Sequence, residues 1–274
     1  MMTATLQTSA LECYVCPACK GHLREQQSAL LCPACSQTYP AVDGIPDFLR
    51  EVLSRSADPE LRRMTAIDKM ASIYESKLWY PIVLKLFGGS RSPSLQQLVR
   101  IVTEKMRSTT GRVIDIACGP GTYGRRVASA SEEVFGIDVS MGMLRQGMAY
   151  TASEGIRDMH FARARVEALP FENGPFDGAL CCGSLHLFTD TVAALREIAR
   201  VTKPGAVLSV FTFTASETGI LKFRGVRDWY RRKQGLHIFE LPELERYLAA
   251  AGFVDFEPQV FGSILTFTAR RHAA

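Results

Sequence analysis

The segment Arg112-Val-Ile-Asp-Ile-Ala-Cys-Gly-Pro-Gly-Thr-Tyr123 indicates the architecture of this 274-residue chain. Its apolar part, Val113 to Ala117, has the length and composition of a buried strand, and a Gly-rich turn follows it directly. Gly119 and Gly121 allow the backbone to turn sharply and to approach a ligand closely. A helix is expected next, over residues 123–130. Because a lone Gly-x-Gly turn is weak evidence, the interpretation depends on the pattern downstream.

Strands and helices alternate downstream of this turn. The second strand ends on Asp138, seventeen residues after Gly121, where an acidic group can hold both ribose hydroxyls of an adenosine. Alternation at this spacing predicts an α/β fold with a doubly wound, mostly parallel sheet, whose ligands bind at the carboxyl ends of the strands. The predicted elements are strands at Glu133 to Ile137, Met159 to Ala162, Phe176 to Cys182 and Ala206 to Phe213, and a helix from Thr191 to Val201.

Five of the eight cysteines lie between Cys13 and Cys35. Two turns of the same sequence, Cys16-Pro-Ala-Cys19 and Cys32-Pro-Ala-Cys35, are separated by twelve residues, and two CxxC turns can complete a closed, tetrahedral zinc site. Cys13-x-x-Cys16 offers an overlapping pair, but its sequence does not match the second turn. A redox dithiol is the alternative, although it would not require a duplicated motif. The predicted zinc ligands are therefore Cys16, Cys19, Cys32 and Cys35.

The sequence predicts a small N-terminal module attached to a larger catalytic one. A zinc ribbon is expected over residues 1–53, a linker over 54–68, and a catalytic domain over 69–274 in which residues 215–238 form a lid. The lid prediction comes from Lys222 to Lys233, where six basic residues are interleaved with Phe223, Trp229 and Tyr230. A solvated amphipathic helix explains the same pattern equally well.

The composition is that of an ordinary globular protein, with 47% hydrophobic and 22% charged residues. No apolar run is long enough to span a bilayer and no secretory signal is visible, so a cytoplasmic location is expected. The net charge of +4 permits an anionic partner without requiring one. The sequence leaves the oligomeric state open.

Several motifs resemble those of class I S-adenosylmethionine-dependent methyltransferases. Asp115-x-Ala-Cys-Gly-Pro-Gly121 resembles their first motif, and Asp138-Val-Ser-x-x-Met-Leu144 resembles their second acidic motif. The ubiquinone/menaquinone-type enzymes are resembled at Leu169-Pro-Phe171, Phe176-Asp177, Leu185-His186 and Lys203-Pro-Gly205. With the CPxC ribbon, the chain is similar to zinc-ribbon methyltransferases of bacteria and plastids. The resemblance implies a Rossmann-like, seven-stranded, mostly parallel sheet with an antiparallel last strand, and S-adenosylmethionine and zinc as cofactors.

The resemblance also implies a set of cofactor-binding residues. Asp115 either orients the Gly-rich loop or contacts the amino group of the methionine moiety, and Asp138 binds the ribose. Met143 is expected to pack on the adenine, while Tyr74, with Trp79 as a further candidate, is expected to face the sulfonium. Ordinary helix packing is the alternative for these last three residues. The other expected contacts are Ala117, Gly119, Gly121, Val139, Arg165, Val166, Cys182 and Gly183.

Two positions carry particular questions. Relatives often place Asp or Asn where this chain has Arg165, and a cation cannot accept a hydrogen bond from the adenine amino group. Adenine recognition is therefore expected to rely on backbone near Val166 and on apolar packing. His186 follows the fourth strand and is the candidate catalytic base that takes a proton from the acceptor. A structural, hydrogen-bonded histidine is the alternative.

The implied function is methyl transfer to a small-molecule acceptor, a hydrophobic or aromatic metabolite methylated on oxygen or carbon. Base methylation of ribosomal or transfer RNA is an alternative, because zinc ribbons also precede some RNA methyltransferases, although those ribbons usually end in histidine. A second alternative is a non-catalytic protein whose ribbon docks another subunit. The intact Gly119, Gly121 and Asp138 argue against it.

Overall fold

The computed structural model describes residues 11–49, 79–215 and 220–273, which form a four-stranded and a seven-stranded sheet. The predicted linker at 54–68 and the candidate Tyr74 lie outside the described residues. None of the helices in these ranges has an apolar stretch long enough to cross a bilayer.

The N-terminal sheet is antiparallel, and its strands lie side by side in chain order. They are β1 (Arg24–Gln26), β2 (Ala29–Leu31), β3 (Thr38–Val42) and β4 (Ile45–Pro46). One CPAC turn precedes β1 and the other joins β2 to β3, so the short strands bring the two cysteine pairs together. Asp43 and Gly44, both with positive φ, form the turn between β3 and β4.

The main sheet has the order β10-β11-β9-β8-β5-β6-β7. Strands β5 to β9 run parallel, and β11 lies antiparallel to both of its neighbours, β9 and β10, which confirms the predicted fold. The winding reverses between β5 and β8, where open α/β sheets bind ligands. The strands are β5 (Arg112–Ile116), β6 (Glu133–Asp138), β7 (Met159–Arg163), β8 (Phe176–Cys182), β9 (Thr202–Phe213), β10 (Phe253–Phe261) and β11 (Ile264–Arg271).

Helices connect and cover these strands. Side-chain caps start two of them: Ser140 Oγ accepts from the Met143 amide, and Asp190 Oδ1 accepts from the Ala193 amide. The helices are α1 (Trp79–Gly88), α2 (Leu95–Glu104), α3 (Gly124–Val127), α4 (Met141–Glu154), α5 (Thr191–Val201), α6 (Arg224–Gln234) and α7 (Leu241–Ala250). Single 3₁₀ turns lie at Gly89–Arg91, Val166–Ala168, Leu185–Leu187 and Ile220–Lys222.

Two elements differ from their predicted bounds by more than one residue. The helix expected over 123–130 ends as the short α3, because the next amides, of Ala130 and Ser131, close turns onto the Val127 carbonyl. Strand β9 begins before its predicted start, because Thr202 already pairs with Phe176 across the sheet. The register of β8 and β9 then shifts, which accommodates the Lys203-Pro-Gly segment within one irregular strand.

The ribbon and the main sheet share one hydrophobic core. The Tyr14 ring lies 5.6 Å from that of Phe48 in the ribbon, and 5.9 and 5.2 Å from those of Phe135 and Phe171 in the main domain. Isolated β-bridges pair Tyr14 with Phe171 and Asp47 with Arg163. The ribbon is therefore packed beside β7, the edge strand of the main sheet.

Candidate active site

A cavity of about 490 Å³ opens at the carboxyl ends of β5, β6, β7 and β8. One end lies against the Gly-rich loop after β5 and the acidic end of β6. The other end is enclosed by α1, the turn after β8, strand β9 and α6. Its lining includes Tyr80, Val83, Phe87, Ala117, Gly119, Asp138, Val139, Ser140, Met143, Ala164, Arg165, Val166, Glu167, Gly183, His186, Phe211, Phe213, Tyr230, Leu236 and Ile238.

The loop after β5 is held in place by hydrogen bonds to the end of β6. The Cys118 amide donates to the Ile137 carbonyl at 3.0 Å, and the Gly119 amide donates to Asp138 Oδ2 at 2.8 Å. Gly121 has a φ of 75°, and a Cβ there would lie 2.8 Å from the Met159 methyl carbon. The backbone conformation at 121 therefore favours glycine, and a Cβ would in addition require the Met159 side chain to shift.

Asp138 lies at the rim of the cavity, and hydrogen bonds fix the orientation of its carboxylate. Besides the Gly119 bond, its Oδ1 accepts from the Ser140 amide at 2.8 Å. A carboxylate oxygen can accept more than one hydrogen bond. The two amides orient the carboxylate before any ligand arrives, which suits a bidentate contact to neighbouring hydroxyls.

Asp115 lies beneath the same loop and is fully buried. Its Oδ2 accepts from the Gly124 amide at 2.9 Å, while its Oδ1 has no partner within the described structure. Burial is the main cause that raises the pKa of this carboxyl to about 7; the Gly124 hydrogen bond lowers the pKa, and the Asp138 charge adds a smaller increase. The side chain does not line the cavity but supports the loop that does.

One end of the cavity is formed by residues that follow β6 and β7. Val139, Met143 and Val166, which the sequence suggested as cofactor contacts, line this end, and Met143 is buried. Arg165 also lines it, but its Nε donates to Glu167 Oε2 at 3.3 Å. The Arg165 guanidinium is therefore paired with Glu167 of the same loop. The sequence did not identify Glu167 as a site residue.

His186 lies at the opposite end, in the turn after β8. Its ring is buried, lies edge-on to Phe213 at 4.9 Å, and has Nδ1 3.3 Å from Thr212 Oγ1. Burial lowers the pKa of His186 to about 4. The imidazole is consequently neutral near pH 7, which is the form that accepts a hydrogen bond or a proton.

The predicted lid region contributes an apolar wall. Tyr230 of α6 lines the cavity and contacts Phe87 of α1, with 5.6 Å between ring centroids. Arg227 donates to the Leu221 and Lys222 carbonyls, and Trp229 and Arg231 are exposed. The basic side chains of α6 therefore lie outside the cavity.

Some predicted site residues do not reach the cavity surface. Gly121 and Cys182 are absent from the described lining, as is Asp115, whereas Ala117, Gly119 and Gly183 belong to it. Tyr74 and the side chain of Trp79 lie outside the described residues. Tyr80, which the sequence did not single out, lines the cavity, as do Ser140, Glu167, Phe211 and Phe213. The apolar spacing around α1 was the available signal for Tyr80, but it did not indicate which turn faces the ligand.

A separate cluster in the ribbon consists of the four predicted thiols. The Sγ atoms of Cys16, Cys19, Cys32 and Cys35 all lie within 4.8 Å of one another. The closest pairs are Cys16 with Cys35 at 3.6 Å and Cys19 with Cys32 at 3.5 Å. Sulfur atoms about 3.8 Å apart are expected around tetrahedral zinc. Cys13 lies outside the cluster.

Comparisons with known proteins agree with this geometry. Residues 113–205 match a family described as a methyltransferase domain. An uncharacterised chloroplastic methyltransferase of Arabidopsis thaliana is 24% identical, over 98% of this chain and 81% of the plant protein. A demethylmenaquinone methyltransferase of Corynebacterium kroppenstedtii is 36% identical, over 38% of this chain and 42% of the bacterial protein. The chain covers most of the length of the plant protein, but it spans only about half or less of the length of the bacterial relatives that it matches.

The fold is similar to that of solved structures. Phosphoethanolamine N-methyltransferase 2 of Haemonchus contortus, solved with phosphomonomethylethanolamine and S-adenosylhomocysteine, matches with a TM-score of 0.60. The match covers 78% of this chain and 59% of the nematode protein at 17% identity, so it establishes the fold alone.

Proposed function

We propose that this chain is an S-adenosylmethionine-dependent methyltransferase that transfers the methyl group to a small, uncharged, apolar acceptor, as its match to a methyltransferase domain over residues 113–205 supports. One observation carries the proposal. A single cavity continues from the loop at Gly119 and the carboxylate of Asp138 to an aromatic end containing His186. Donor and acceptor can therefore lie in one enclosed space.

The residues at the first end fit the methyl donor. Asp138 offers two oriented oxygens for ribose hydroxyls, and the Gly-rich loop leaves room for a close backbone approach. Asp115 does not line the cavity, so we expect it to act on the methionine moiety indirectly, by orienting the Gly-rich loop through the Gly124 amide. Val139, Met143 and Val166 supply apolar surface for adenine.

The aromatic end indicates the acceptor class. Asp138, Arg165 and Glu167 are the only side chains charged at neutral pH among the described lining residues, and all three lie at the donor end. A charged acceptor would lose hydration in the aromatic end without gaining a partner. A neutral hydrophobic or aromatic metabolite with a hydroxyl or an activated carbon fits these walls. A nucleic acid fits less well, since a base that entered the aromatic end would find few hydrogen-bond partners there.

The bound sulfonium supplies an already activated methyl group, so the protein's part is alignment and exclusion of water. Phe211, Phe213 and Tyr230 exclude water around the acceptor. Neutral His186 is the group that receives the acceptor's hydrogen bond and, where needed, its proton. Burial makes the charged form of His186 unfavourable, so this role suits an acceptor that is itself acidic.

We propose a structural zinc ion for the four-thiol cluster. A complete set of four cysteines leaves no open coordination position, so the ion would stabilise the ribbon rather than perform chemistry. Because the ribbon has little core of its own, metal binding would supply much of its folding free energy.

The function is tested by incubating the protein with methyl-labelled S-adenosylmethionine and matched acceptor pairs. Each pair contains a neutral phenol or quinol and its carboxylated analogue. We expect label transfer to the neutral member of a pair and little to the charged one. Transfer only to RNA, or only to charged analogues, would contradict the proposed acceptor class.

A further inference from the structure

The loop segment 164–169, between β7 and β8, forms much of the donor end of the cavity. Ala164, Arg165, Val166 and Glu167 all line the cavity. The CPAC cysteines are not among the described lining residues, yet the ribbon contacts the loop segment's flanks on both sides.

The ribbon holds the start of the loop segment through the last residue of β7. The Phe48 amide donates to the Arg163 carbonyl at 2.8 Å, and Asp47 forms a parallel bridge with Arg163. This short pairing extends the main sheet beyond its edge strand, at the end of the strand where ligands bind.

The ribbon also holds the end of the loop segment. The Val15 amide donates to the Pro170 carbonyl at 2.9 Å, and Tyr14 forms an antiparallel bridge with Phe171. Lys20 Nζ donates to the Leu169 carbonyl at 2.9 Å. Because Tyr14, Val15 and Lys20 flank the first CPAC turn, the fold of that turn determines where these contacts lie.

The Arg163 side chain connects the ribbon to a second part of the donor site. It is buried, its Nη1 lies 3.2 Å from Asp47 Oδ2, and its Nε donates to the Val139 carbonyl at 2.8 Å. Val139 directly follows Asp138 and lines the cavity. A guanidinium is a rigid planar group, so fixing it at Asp47 also fixes the direction of its bond to Val139.

We propose that the ribbon is a structural part of the donor site: it holds loop segment 164–169 at both ends, and Asp47 acts through Arg163 as a positioning residue for Val139. This inference rests on the proposed binding of S-adenosylmethionine and assigns the Cys₄ ribbon a role in cofactor affinity. The contacts concern the adenosine half of the ligand, since Val139 and the loop segment lie at that end.

The test compares two isosteric substitutions in the ribbon. Asp47→Asn removes the charge that partners buried Arg163, and we expect it to weaken S-adenosylhomocysteine binding about three- to tenfold by calorimetry. Asp43→Asn is the matched control, because Asp43 pairs with Arg145 at the exposed surface of α4 at 2.7 Å. Its affinity should stay within about twofold of the unchanged protein.

A second ligand separates positioning from general damage. 5′-Methylthioadenosine shares the adenosine half, so its affinity should fall by the same factor in Asp47→Asn. Full zinc content should be retained. A loss restricted to S-adenosylhomocysteine, or equal affinities for both variants, would overturn the inference.

Hydrogen exchange tests the same inference without a ligand. Amides of loop segment 164–169 should exchange faster in Asp47→Asn, while those of the distant helix α7 should not change. Unchanged exchange in the loop segment would overturn the inference, even if the protein bound no cofactor. Absence of cofactor binding by the unchanged protein would instead contradict the proposed function.

Discussion

Asp138 is the residue on which cofactor affinity should depend most. Asp138→Ala removes an oriented carboxylate that is expected to accept from two ribose hydroxyls, and also releases the Gly119 and Ser140 amides. We expect S-adenosylmethionine affinity to fall about tenfold or more, since such contacts contribute on the order of 1.5–3 kcal/mol. Calorimetry on this variant and on Asp158→Ala, at an exposed site, would measure the difference. Equal affinities would mean that Asp138 does not bind the ribose.

Asp115 should make the stability of the ligand-free protein depend on pH. Its folded pKa of about 7 exceeds the ordinary value for an aspartate, so the folded state holds the proton more tightly than the unfolded chain. Between about pH 4 and pH 7 the unfolded chain loses the Asp115 proton while the folded protein still holds it. The free energy of unfolding therefore falls as pH rises through this range, by up to about 1.4 kcal/mol per pH unit.

The comparison variant is Asp115→Asn, which keeps an oxygen for the Gly124 amide but does not titrate. Its free energy of unfolding should decline less steeply with pH than that of the unchanged protein. Urea denaturation at several pH values between about 5 and 8 measures both slopes. Parallel curves would contradict the assigned burial effect.

The site residues were predictable from sequence where backbone geometry dictates residue type. Gly119, with its positive φ, and Asp138 at a strand end are required by the turn itself, and both line the cavity. Tyr80 and Glu167 were not predicted, because their exposure to the cavity depends on how α1 and the loop after β7 pack. Local spacing carries no signal for that packing.

Individual strands and helices were predictable to a similar degree. Strand β8 and helix α5 have their predicted bounds, because a buried apolar run and an Asp190 cap both leave clear local signals. The orientation of α6 was not predictable. Its basic residues suggested contact with the acceptor, whereas Tyr230 is the side chain that reaches the cavity.

Helix α6 should affect the acceptor rather than the cofactor. Tyr230→Ala removes an aromatic wall that contacts Phe87, so we expect the KM for an apolar acceptor to rise about tenfold or more, with unchanged cofactor affinity. Arg231→Gln on the same helix is the control. Because the Arg231 charge is exposed, its removal should change neither the KM nor the cofactor affinity by more than the equivalent of about 0.5 kcal/mol. A larger effect of Arg231→Gln would instead indicate an anionic acceptor.

The two CPAC turns should bind metal as one unit. Cys32→Ala removes a buried thiol of the cluster, and the protein is expected to lose zinc and to unfold at a lower temperature. Cys13→Ala, whose thiol lies outside the cluster, should retain about one zinc per chain. Elemental analysis measures both variants. Full zinc retention in Cys32→Ala would rule out the four-thiol site.

At the scale of the whole molecule, the ribbon and the main domain share a continuous hydrophobic core. Tyr14 packs against Phe135 and Phe171, and the buried Asp47–Arg163 pair crosses the same boundary. The sequence predicted both modules but not this contact, because neither module's motifs encode its neighbour's surface. The ribbon is thus placed to influence the donor end of the cavity.

S-adenosylmethionine is expected to bind in the cavity at the carboxyl ends of β5, β6, β7 and β8. Equilibrium dialysis of the purified protein against labelled S-adenosylmethionine tests this most directly. We expect saturable binding of one molecule per chain, competed by S-adenosylhomocysteine and weakened in Asp138→Ala. The absence of saturable binding, or saturable binding that Asp138→Ala leaves unchanged, would contradict the account.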